Sequence, residues 1–345
     1  MDVEDPARAR PAVIVAARQA RGLKQAELAR RAGISQGFLS KVEADLAPLY
    51  GEKLANVAAA LDVTPELLCS DAELASATSC LFHRKRNALP VAIATSVHGQ
   101  TDLIRLQLAI LLEDGDLPPL LLGRDEPGDL DSPVDIARRV RLKLGVPAGP
   151  IDDIVGLLES AGALVVDVDF GSRHIDAVCQ WPEGERPLIL LNIEAPPDRQ
   201  RFTVAHELGH AVMHIATSED QEQQADEFAS EFLLPAADVR GELVGLSLPR
   251  LMELRLRWGV SMAALVRRAY DLDLLTAYQY KTLNIDLARA GFKTRSPEGV
   301  SMERPRLVGR AIETLREAGL SGLEIADRVG TTPQGLEMIF AGVSI

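Results

Sequence analysis

Apolar and polar positions follow three rhythms along this chain, and each predicts a different kind of element. Between residues 13 and 68 apolar side chains recur every three or four positions, in short blocks closed by single glycines. That pattern predicts short amphipathic helices over about 13–21, 25–32, 35–44, 54–61 and 65–68, with Gly22 and Gly33 as stops. Further helices are expected over about 102–112, 133–144 and 151–160, the middle one capped at Asp131-Ser-Pro133. Alternation over about 163–170, with shorter runs over 175–181 and 188–192, predicts three strands. Pro196-Pro197-Asp198 then reads as a stop and a helix N-cap. The helix after it carries Phe202, Val204, Ala205, Leu208, Ala211 and Val212, enough apolar surface to bury most of it. Helices over about 221–234, 248–258 and 262–269 complete the central part.

The buried helix carries chemistry. His206-Glu-Leu-Gly-His210 places two imidazoles four positions apart, on one face and about one turn from each other. Neutral imidazole suits zinc, and a catalytic zinc takes three protein ligands with a fourth position left for water. Glu207 stands between them, placed to accept the proton of that water; this is the HExxH arrangement. A third ligand is expected from the next helix. Glu222 is the best placed, since Asp226 lies four positions on and can accept the free ring N–H of a ligand histidine. Glu219 and Asp220 are acidic alternatives without such a companion. His214 is not a third ligand on a straight helix, because positions 206 to 214 climb about 12 Å. It is expected to support His210 or to be structural.

Arg201-Phe-Thr-Val-Ala-His-Glu-Leu-Gly-His210, followed by Glu222-Gln-Gln-Ala-Asp-Glu-Phe-Ala-Ser-Glu-Phe-Leu-Leu-Pro235, resembles the ImmA/IrrE family of bacterial metallopeptidases. The run from Gly149 to Gly162 resembles the start of that domain, so the likeness covers about 131–271. It implies that His206, His210 and Glu222 bind Zn2+ and that Glu207 is the base. Asp226 stands where the family commonly has Asn; either accepts a hydrogen bond. The resemblance also implies cleavage of one regulatory protein, of repressor or antitoxin type.

The first helices carry a second signal. A helix, a turn with Gly33 and a further helix form the helix-turn-helix unit. The run from Gln25 to Glu43 resembles the lambda-repressor-like (Cro/CI, XRE) DNA-binding family over about 13–68. By that resemblance the helix after Ser35 enters the major groove. Ser35, Gln36, Gly37, Ser40 and Lys41 then face double-stranded operator DNA, and Gln25 holds a phosphate. Gln36 can read an adenine edge through paired hydrogen bonds. Arg18, Arg21, Lys24, Arg30, Arg31 and Lys41 outnumber the acids locally, although the whole chain has a net charge of −13 and repels nucleic acid elsewhere.

Cys69, Cys80 and Cys179 are odd in number and lack a CxxC pair, which favours a reducing compartment. No secretory or membrane-spanning run stands out, so a cytoplasmic location is expected. Glu324-Ile-Ala-Asp-Arg-Val-Gly330 echoes Glu27 to Gly33 and predicts a second helix-turn-helix shape, acidic on its exposed positions and a poor face for phosphate. The expected organisation is multidomain. An all-α helix-turn-helix domain (1–72) precedes a helical linker region (73–130) whose acidic turns form the flexible boundary. An α+β, zincin-like metallopeptidase core (131–271) follows, then an α-helical C-terminal region (272–345). The expected function is a homodimeric DNA-binding regulator with a zinc metalloendopeptidase domain. The alternative is a regulator or antitoxin whose zinc fold is a non-proteolytic sensor or scaffold.

Overall fold

The computed structural model describes residues 8–70, 74, 81–83, 90–113, 115–128, 131–172, 175–214, 219–292 and 299–340. Five helices form the first module: α1 (Pro11–Ala20), α2 (Gln25–Arg31), α3 (Gln36–Glu43), α4 (Gly51–Ala60) and α5 (Pro65–Leu68). Their apolar faces close on one core around Ile14, Leu28, Leu39, Val57 and Leu68. Gly33 takes the left-handed turn (φ 64°) that swings α3 away from α2.

Strand β1 (Leu81–His83) and a long helix, α6 (Val91–Leu111), follow. Next come α7 (Pro133–Lys143), α8 (Ile154–Ser160), β2 (Leu164–Val168), β3 (Ala177–Gln180) and β4 (Leu188–Asn192). After the sheet stand α9 (Pro197–Met213), α10 (Gln221–Leu233), α11 (Ala236–Val239), α12 (Leu248–Trp258), α13 (Met262–Asp271) and α14 (Ala277–Arg289). The chain ends with α15 (Leu307–Glu317), α16 (Gly322–Arg328) and α17 (Pro333–Ile339).

The sheet runs β1-β3-β4-β2, with β2 parallel to β4 and the other pairs antiparallel. Every residue of β2, β3 and β4 is buried, the signature of a sheet covered on both faces. Val165, Ala177, Cys179, Ile189 and Leu191 pack against α8, α9 and the helices behind them. Val166, Val178, Leu188 and Leu190 pack instead on Ile104, Leu108 and Leu111 of α6 and on Ile312, Ile325 and Leu336 of the last three helices.

Several expectations change here. The 73–130 segment is not a linker over its described length: α6 begins eleven residues earlier than its periodicity predicts and fills both the first module's flank and the outer sheet face. Its buried Arg105 bonds Gln180 and Glu185, bolting it to the end of β3. Described residues of the acidic stretch after α6, expected as a flexible boundary, are tied to the body. Leu121 N–H donates to Ala161, and Asp125 N–H to Val212. The basic run after His83 lies outside the described residues. Asp198 is not an N-cap; it sits within the first turn of α9 and binds Arg255 at 3.0 Å, both side chains buried.

The C-terminal helices also return to the first module, where Thr64 N–H donates to Gly330. The echo of a second helix-turn-helix appears as α16 and α17, with Glu324, Asp327, Gln334 and Glu337 exposed. Among the described residues no helix is long and apolar enough to cross a membrane.

Helices α1 and α6 cross at Gly99, where an added Cβ would lie 2.5 Å from Ala20 N and 2.6 Å from Ala16 O. Both are backbone atoms of α1 and neither can step aside. Gly99→Ala is therefore expected to lower the unfolding free energy by about 1–3 kcal/mol, the usual cost of overpacking. Denaturant melts would show this, with metal content unchanged because the crossing lies away from α9 and α10.

Candidate metal centre and nucleic-acid interface

Helices α9 and α10 pack closely because Gly209, inside the HExxH stretch, faces Phe228; an added Cβ would stand 3.0 Å from its ring. That approach brings His206, His210 and Glu222 together, with one donor atom from each lying within 4.8 Å of the others. Glu219 and Asp220 precede α10 and do not join this group.

Hydrogen bonds fix both rings. Asp226 Oδ1 lies 2.9 Å from His206 Nδ1 and accepts its proton. Gln224 Oε1 accepts from His214 Nε2 at 2.9 Å, which leaves His214 Nδ1 to accept from His210 Nδ1 at 3.0 Å. Each neutral ligand ring then turns a bare Nε2 lone pair toward the other across 3.0 Å. Glu222 oxygens stand 3.6 and 3.5 Å from the same two nitrogens. Two lone pairs and a carboxylate at this separation repel unless a cation lies among them, so the donor set fits a metal ion.

Among the protein groups alone, a proton relieves that repulsion. Burial opposes charging His206, but Asp226 and Glu222, with Glu207, outweigh it and lift its pKa to about 9. Burial, with the charge of His206, drives His210 down to about 4 despite its bond to Glu222. Hydrogen bonds from the two rings hold Glu222 well below the usual carboxylate range. The ring nearest both carboxylates takes the proton and the other stays neutral.

Glu207 is fully buried beside this group, and its charge reaches both His206 and Cys179 of β3. Burial first, then that charge, keeps the Cys179 thiol protonated and unreactive. Tyr270 lies against Tyr280, their ring centres 4.6 Å apart. Tyr278 is largely exposed on α14, and His174 lies outside the described residues.

Two contributors were missed in the sequence. Gln224 orients His214, yet nothing in its spacing marks it apart from its place two residues after Glu222. Arg124 donates to the carbonyls of Ala211 and His214 and caps the end of α9. It sits in the stretch read as a flexible boundary, and only the fold brings it across.

In the first module Ser35 caps α3 by accepting from Phe38 N–H. Gln36, Gly37, Ser40 and Lys41 are exposed on that helix. Gln25 differs from expectation: its amide donates to Glu43 at 2.8 Å, and Glu43 is also gripped twice by Arg18. Any hold on a phosphate falls to its remaining amide N–H.

Comparison with known families agrees with this division. Residues 158–270 match the peptidase family model described as an IrrE N-terminal-like domain. Residues 14–68 match a helix-turn-helix family model. No curated protein matches the chain.

Groups that orient a metal's histidines typically change its affinity by about 10–100-fold. Asp226→Ala is expected to weaken metal binding by that factor, and Gln224→Ala by a smaller one through His214. Chelator competition on the purified variants measures both. Unchanged affinity in Asp226→Ala would show that His206 is oriented by something else.

Proposed function

We propose that this chain, which joins a helix-turn-helix segment to an IrrE-like peptidase segment, is a DNA-binding regulator. Its second domain is proposed to act as a zinc-dependent endopeptidase on one regulatory protein, of repressor or antitoxin type. The observation that carries the reading is the convergence of His206, His210 and Glu222 beside the buried carboxylate of Glu207.

His206, His210 and Glu222 would hold the ion, with Asp226 and the His214–Gln224 pair fixing the two rings. A zinc ion in such a set supplies Lewis-acid polarisation of the scissile carbonyl and a more acidic water. Glu207 would accept the proton of the attacking water and pass it to the leaving amine. Its complete burial keeps the proton transfer out of bulk solvent. Manganese or iron would also fit nitrogen and oxygen donors, so metal content decides between them.

A peptide can be held as an added strand on a sheet edge. On the side of β3 the edge strand is β1 (Leu81–His83), which pairs with β3, Phe82 opposite Cys179. A substrate would have to displace that segment or enter beside it. The same observation favours the second reading, a metal domain that senses or holds and does not cut. On the DNA side, exposed Gln36, Ser40 and Lys41 would meet the major groove, with two copies of the chain on a two-fold operator.

Glu207→Gln separates the two readings. It should keep the metal and the DNA affinity yet abolish wild-type-dependent new N-termini in cells expressing the chain. New N-termini that persist in the variant would sink the peptidase. Gln36→Ala should cost about 1–3 kcal/mol at one base position in a binding-site selection, leaving metal content unchanged.

A further inference from the structure

One rim of the sheet is filled by a segment with no strand pattern of its own. Leu81–His83 is three residues long and lies in the connection between α5 and α6. Without it, β3 would end the sheet on that side and leave the outward N–H and C=O groups of a buried strand unpaired. β1 meets them antiparallel, with Leu81 opposite Gln180, Phe82 opposite Cys179 and His83 opposite Val178. The same strand packs against α9, the helix that carries His206, Glu207 and His210. Cys179 feels the charge of Glu207, so the centre of the β1–β3 pairing stands beside the candidate base.

We infer that β1 is a built-in occupant of the target site. Residues 81–83 take the place on β3 where an extended segment of a target protein adds, and they must leave before it enters. This inference rests on the peptidase reading above. Strand addition is made by main-chain hydrogen bonds, which any sequence can offer. The chain's own segment therefore competes for the same groups of β3 as a target does. The class of target follows: a stretch that is extended or unfolded and free to run antiparallel to β3. A helix cannot form that pairing.

The competition sets a threshold. A segment joined to its site by the chain acts at an effective concentration on the order of 1 mM. An extended peptide free in solution at a far lower concentration is outcompeted, and its apparent affinity falls by the fraction of chains whose edge is open. A target that is also held elsewhere on the protein gains a comparable effective concentration and displaces β1. Three residues lie at the short end of strand lengths, which keeps that displacement within reach. The arrangement favours one docked partner over unfolded protein in general.

The test uses the full chain carrying Glu207→Gln, so that binding is read without cleavage, and β-casein as an unfolded probe. A release variant adds Leu81→Gly, Phe82→Pro and His83→Gly, since proline cannot donate to the ladder. It should bind casein at least tenfold more tightly than the chain with β1 intact. A locked variant instead adds Phe82→Cys, with Cys69→Ser and Cys80→Ser. Directly opposite residues of an antiparallel pair have Cα atoms about 4.5–5.5 Å apart, within the reach of a disulfide. Oxidation should therefore join position 82 to Cys179, abolish casein binding, and restore it on reduction. That comparison stands even if the release variant fails to fold. With Glu207 present, the release variant should also cut casein at least tenfold faster than the wild type, and the wild type should stay intact over residues 78–86. Tighter binding without any cleavage would sink the peptidase reading and leave β1 as the occupant. Equal casein binding with β1 released or locked, no cross-link to Cys179, or self-cleavage within 78–86 would each overturn the inference.

Discussion

Two imidazole nitrogens that face each other across 3.0 Å inside a protein core set the terms for this structure. Lone pairs cannot sit that close without a positive charge between them, so the geometry must be held against its own repulsion. The chain does this by finishing both helices from outside. Arg124 takes the last carbonyls of α9, and Arg141 and Arg268 take those of Phe232 and Leu234 at the end of α10. Arginines suit the negative ends of helices, and buried carbonyls there need donors. Glu231 returns the charge by pairing with Arg138 and Arg268, which ties α10 to α7 and α13. Removing one such arginine would free a helix end and leave a buried carboxylate uncompensated, a costly combination.

The second constraint is the sheet. Buried on both faces, it needs cover on both sides, and α9 with its neighbours supplies only one. The other cover comes from chain segments far apart in sequence, α6 before the sheet and α15 to α17 after it. One consequence is mechanical. The helix that docks the helix-turn-helix module is the same helix that roofs the sheet of the IrrE-like segment, so the two modules share a structural member. Glu303 strengthens the return of the chain end, accepting from Ile154 and Val155 at the start of α8 and pairing with Arg201.

What the sequence made legible follows from how local each signal is. His206, His210, Glu222 and Asp226 sit at helical spacings, so their shared face could be read directly. The same holds for the Ser35 cap and the exposed face of α3. Strands β2, β3 and β4 announced themselves as apolar runs, to within a residue or two. Signals that depend on distant partners stayed hidden. The first half of α6 holds Thr95, Val97 and Gly99, weak helix formers on their own; only packing against α1 makes it a helix. Asp198 looked like a cap because the residue type suits one, until Arg255 claimed it from α12. Gln224 and Arg124 carry no local mark at all. The three-residue β1 is too short for any periodicity and exists because β3 offers it an edge.

The central claim is that α9 and α10 together bind one metal ion through two imidazoles and a carboxylate. X-ray absorption at the metal edge of the purified chain tests it most directly. The account predicts one equivalent of metal with imidazole scattering from two histidines, nitrogen and oxygen neighbours at about 2.0–2.2 Å for zinc, and no sulfur. A shell containing sulfur, or one without paired imidazole scattering, would place the metal elsewhere and contradict the site described here.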